Sequence, residues 1–148
     1  MTSNFDRRVG PPREEADFFT TFHRLFESKD QIMDICLYLR QRRLQQWDDS
    51  QAAPLLRFLA EVKELARPQN KRALLEKFPQ ASLLESTRRL DDLKDNAAVA
   101  LRNLELILKQ DPYGRTGYAK LRNKALASVE KIFIIMNKLH TLLSTGAA

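Results

Sequence analysis

The sequence predicts an all-α protein, an antiparallel helical bundle with about four main helices and a third segment that is short or split. Three observations carry that expectation. Apolar residues recur at helical spacing over long stretches. Two of those stretches keep a seven-residue register. Only 4 glycines and 6 prolines interrupt 148 residues, too few for the many turns of a mostly β or α/β chain. A chain of this length suits one core better than two. The expected organisation is a flexible tail over 1–12 and one bundle domain over 13–145.

The tail ends at Gly10-Pro11-Pro12, which resists helix, and Glu14, Glu15 and Asp17 then form an acidic first turn. Phe18, Phe22, Leu25, Ile32, Ile35 or Cys36, and Leu39 follow at helical spacing, so a first helix is expected over 14–47. Ser28-Lys29-Asp30-Gln31 has the form of a capping box and is the place where that helix would break. The continuous helix is the preferred reading. Asp48, Asp49 and Ser50 make a polar turn. A second helix is expected over 52–67, with Pro54 in its first turn and Leu55, Leu56, Phe58, Leu59, Val62, Leu65 and Ala66 as its apolar stripe.

Pro68 ends that stripe, and 70–78 allow a short segment with Leu74, Leu75 and Phe78 inward and Pro79 closing it. Ser82-Leu83-Leu84-Glu85 is a second capping-box candidate, at the head of a helix expected over 82–110. Leu83, Leu90, Ala97 and Leu104 are spaced by seven there, with Leu93, Ala100 and Ile107 at companion positions. Turn formers at 111–117 interrupt the pattern. A last helix over 117–144 resumes the register through Tyr118, Ala125, Ile132 and Leu139. These stripes are wider than a strict coiled-coil seam, which favours antiparallel packing within one domain over an extended coiled coil.

Two runs exceed what one core requires. Ile132-Phe133-Ile134-Ile135-Met136 is apolar right around a helix, and Ile35-Cys36-Leu37-Tyr38-Leu39 is nearly so. Either the neighbouring helices cover all sides, or the surplus meets a partner. Leu37, Tyr38, Ile134 and Ile135 are therefore the candidate protein-interface residues, with Arg88, Arg89, Asp91 and Asp92 as charged rims.

Charge supplies the second candidate surface. The net charge is +6, from 25 basic and 19 acidic residues. Over 112–148, six basic residues face only Glu130, so most of the excess is local. An up-down-up-down chain would place Arg40, Arg42 and Arg43 at the same pole as Arg115, Lys120, Arg122 and Lys124, and also Lys109. Those groups suit phosphates, whose contacts are electrostatic and largely sequence-blind. Trp47, Tyr38 and Tyr113 are aromatic surfaces nearby.

Catalytic chemistry is poorly represented. His23 and His140 are the only histidines, neither has a carboxylate three residues before it, and Cys36 is the single cysteine. No cofactor, metal or small-molecule substrate is expected. Glu61 with Glu64, and Asp92 with Asp95, could each pair on a helix face, but basic neighbours make an ion-paired surface the preferred reading. Gly114-Arg115-Thr116-Gly117 lacks the spacing of a phosphate loop and reads as an interhelical turn.

No apolar run approaches a membrane span, and the first twelve residues lack the apolar core of a secretory leader. With one cysteine, a reducing, cytoplasmic setting is expected. The expected function is a non-enzymatic helical interaction or assembly module, binding itself or a protein partner. The alternative is a basic bundle that binds DNA or RNA; a membrane partner is not expected.

Overall fold

The computed structural model describes residues 18–41, 49–77, 80–109 and 114–146. Among them the fold is all-α, with six helices and no strand. They are α1 (Phe18–Glu27), α2 (Lys29–Gln41), α3 (Asp49–Glu64), α4 (Pro68–Lys77), α5 (Gln80–Leu108) and α6 (Gly114–Gly146). The expected tail, Arg42, Arg43, Trp47 and Tyr113 lie outside the described residues, as does the side chain of Arg115.

The expectation of about four main helices is overturned. The first helix breaks at Ser28, within the capping-box sequence, but the hydroxyl does not cap the following helix. Ser28 Oγ donates back to the Leu25 carbonyl at 2.7 Å, a bond of the kind that bends a helix. The backbone ladder nearly survives the bend, since Ile32 N–H still reaches the Ser28 carbonyl at 3.1 Å. α1 and α2 can therefore follow different neighbours.

Pro68 has a double role. Before it, Leu65, Ala66 and Arg67 tighten into bonds to Val62, Lys63 and Glu64 at 3.1, 3.3 and 3.2 Å, which satisfy the last carbonyls of α3. Pro68 itself opens α4, where a missing N–H costs nothing. Asn70 Nδ2 closes the corner on the Glu64 carbonyl at 3.0 Å. α3 begins at Asp49, three residues earlier than expected, so Pro54 lies inside the helix and one rung is missing there.

The arrangement is also unlike a simple four-helix bundle. α5 and α6 share by far the most extensive contact, followed by α3 with α5. With 29 and 33 residues they are about 43 and 50 Å long at 1.5 Å per residue. α4 packs against α5 and α2 against α3 to the same extent, whereas α1 touches α3 and α6, and α2 touches α6, more lightly. Lys29 meets Asn137 and Arg40 meets Glu130, so α2 runs antiparallel to α6. Buried residues from all six helices form one apolar cluster, including Phe22, Leu39, Leu59, Leu74, Leu90 and Ile132. Heptad positions Leu90, Ala97, Leu104, Ala125, Ile132 and Leu139 are all fully buried.

Leu90→Ala is expected to lower the unfolding free energy by about 2–5 kcal/mol, measured by urea denaturation followed by circular dichroism. Leu84→Ala, on the same helix but 72% exposed, should change it by less than about 0.5 kcal/mol.

Candidate functional site

The two apolar runs resolve residue by residue. In 132–136, Ile132, Phe133 and Met136 are buried and Ile135 is half-buried against the core, leaving Ile134 exposed at 54%. In 35–39, Leu39 is buried, Ile35, Cys36 and Tyr38 pack on the core, and Leu37 is exposed at 52%. Each run thus leaves one large apolar side chain in water. The reason is position: α6 packs extensively on α5 and only lightly on α1 and α2, and Ile134 falls on the side away from the core.

At about 100° per residue, Leu37 and Met33 lie toward the α6 side of α2, near Lys29 and Arg40, whose contacts reach α6. Tyr38 is turned to the opposite flank. On α6, Ile134 lies beside Glu130 and Asn137, which face α2, whereas Ile135 points to the other side. The four interface candidates therefore separate: Leu37 and Ile134 border the α2–α6 seam, and Tyr38 and Ile135 do not. Met33, also exposed, joins the first pair. It was missed because one methionine between Ile32 and Asp34 makes no apolar surplus in the sequence.

Asn123, Ala127, Glu130, Ile134, Asn137 and Thr141 recur at alternating spacings of four and three or three and four along α6, and all six are exposed. This strip is low in charge for a chain with 30% charged residues. Its single carboxylate, Glu130, accepts from Arg40 Nη2 at 3.3 Å.

The basic candidates distribute differently. Arg40 is exposed and paired with Glu130 near the middle of α6. Lys120 and Lys124 are exposed and share a flank of α6. Arg122, between them, is turned to another side and half-buried, with Nε 3.5 Å from Asn123 Oδ1. Lys131 and Lys138, not singled out from the sequence, fall on the same flank as Lys120 and Lys124 and are also exposed. Their seven-residue spacing was the available signal.

The paired carboxylates are engaged as surface ion pairs where the contacts are seen: Arg24 holds Glu61 and Arg67 holds Glu64. Lys71 bonds Asp91 at 2.7 Å, and Arg89 holds Glu85. Such exposed pairs each contribute about 0–1 kcal/mol.

Tertiary structure also joins the two histidines. Their rings lie 5.7 Å apart, edge to face, and His140 stacks on Phe26 at 4.2 Å. They line a cleft of about 190 Å³ with Phe19, Phe22, Lys77, Leu143 and Ser144. Two imidazoles fall short of the three or four ligands of a zinc site, and no group of three or more metal-ligating side chains occurs among the described residues. No helix among them is long and apolar enough to cross a membrane.

Burial pushes the Cys36 thiol from an ordinary 9.0 up to about 12; Arg40 opposes that rise and Glu130 adds to it. A raised acid pKa means the folded state holds a proton that the unfolded chain gives up sooner. Its contribution to stability is therefore complete below about pH 9 and is lost progressively as pH rises toward 12. Cys36→Ser should flatten that part of a stability–pH curve. At pH 8 a thiol reagent should label Cys36 more slowly in native protein than in urea; equal rates would contradict its protected state.

No family model, no curated protein and no solved structure matches this chain.

Proposed function

We propose that this protein is a non-enzymatic helical assembly module that self-associates through the outer faces of α2 and α6. The observation that carries the reading is the exposed, charge-poor strip of α6 centred on Ile134, with Leu37 and Met33 exposed beside it. Interface centres are depleted of charge in this way, whereas ordinary wet helix faces are rich in it.

Small and neutral side chains at Asn123, Ala127, Asn137 and Thr141 let another helix approach closely, while Ile134, Leu37 and Met33 supply apolar contact. A second copy meeting the same face across a two-fold axis closes the assembly at two chains. Completing the burial of these half-exposed side chains contributes about 1 kcal/mol each, or about 6 kcal/mol over two copies. Loss of translational and rotational freedom offsets much of it. Even undiminished, about 6 kcal/mol corresponds to a Kd of about 40 µM, so the association is weak, between tens of micromolar and the millimolar range. Glu130 with Arg40 is a rim pair that favours one register over others.

Sedimentation velocity between about 10 µM and 1 mM tests this reading. The native chain should shift from monomer to dimer across that range, and Ile134→Glu combined with Leu37→Glu should keep it monomeric throughout. A native chain that stays monomeric at about 1 mM, or a dimer indifferent to the two substitutions, would overturn it.

A further inference from the structure

α6 carries a second surface that self-association does not use. Lys120, Lys124, Lys131 and Lys138 follow one another at spacings of four, seven and seven. At about 100° per residue they fall within about 40° of one another, in a line about 27 Å long. All four are exposed. The helix has one carboxylate, Glu130, which is turned about 100° from this line and is held by Arg40. On neighbouring α5, Glu85 is taken by Arg89 and Asp91 by Lys71. Asp92, Asp95 and Glu105 are exposed there and form no ion pair with these lysines among the described residues.

We infer that this lysine ridge is a contact surface for the phosphate backbone of a nucleic-acid duplex, bound without regard to sequence. A rigid helix holds the four ammonium groups in a straight comb, and about 27 Å corresponds to about eight base-pair rises of 3.4 Å. The duplex is also the densest linear anion such a comb can meet, with one charge per about 1.7 Å of axis. Two other anionic partners fit less well. Binding a membrane surface through one helix needs a broad apolar face beside the basic one; here the adjoining strip offers Ile134 as its one large apolar side chain. Binding single strands relies on exposed aromatic platforms, and among the described residues the aromatic rings of Tyr, Phe or Trp type on α6, Tyr118 and Phe133, are packed on the core.

Fluorescence anisotropy with a 20-base-pair duplex, at about 50 and 200 mM salt, is the test. Four phosphate contacts give a slope of log affinity against log salt of about −3.6, so binding should weaken about 150-fold over that range. Replacing Lys120, Lys124, Lys131 and Lys138 by glutamine should abolish measurable binding. Replacing only Lys124 and Lys131 should halve the slope. A control with the same loss of charge, Arg57→Gln, Arg72→Gln, Arg88→Gln and Lys94→Gln, removes exposed groups elsewhere and should retain binding within about threefold. All these side chains are exposed, and circular dichroism checks that each variant is folded. Equal losses in the ridge and control variants would show that net charge alone acts and would overturn the inference. So would a salt slope shallower than about −1, or ridge-dependent binding to phosphatidylserine vesicles with none to the duplex.

Discussion

Along the contact between α5 and α6, the two longest helices bury a seven-residue line each, and small side chains at Ala97, Ala100, Ala125 and Ser128 let the helices come close. Every other helix is placed relative to this pair. α3 lies on α5, α4 is drawn to α5 at the Lys71–Asp91 bond, and the bent α1–α2 arm reaches α6. α6 is covered mainly by α5, and its exposed positions occupy an arc of about 160°, nearly half of its circumference.

That exposed part divides into two adjoining tracks. One is neutral and small, with Ile134 at its centre; the other is the line of four lysines. The division follows from helical geometry acting on a sequence whose basic residues recur with the heptad. The same register that buries Ala125, Ile132 and Leu139 leaves Lys124, Lys131 and Lys138 one position earlier, on a constant flank. A core constraint thereby arranges the surface. If two copies join through the neutral track, two lysine lines belong to one assembly, and weak phosphate contacts gain from being linked.

The α1–α2 arm has a different character. Its contacts with α6 are limited, and several are polar or aromatic: Lys29 to Asn137, Arg40 to Glu130, and Phe26 to His140. Polar contacts of this kind are individually weak in water. The arm bends at Ser28, where the helical ladder is interrupted and resumes with Ile32 N–H on the Ser28 carbonyl, and His23 lies beside His140 while α2 continues along the seam.

The sequence by itself determined the helical class and the identity of most core residues. Burial requires an apolar stripe at helical period, and such a stripe is written directly in residue order, as at Leu90, Ala97, Ala125 and Ile132. It also marked Ser28, Pro68 and the two surplus apolar runs, because a hydroxyl or a ring acts on its immediate backbone. Tertiary structure alone decided whether Ser28 bent the chain, which member of each run stayed exposed, and that Arg40 met Glu130 rather than remaining free. It also brought together the two histidines. Those outcomes depend on which helix covers which flank, a relation between residues far apart in the chain that local periodicity does not encode.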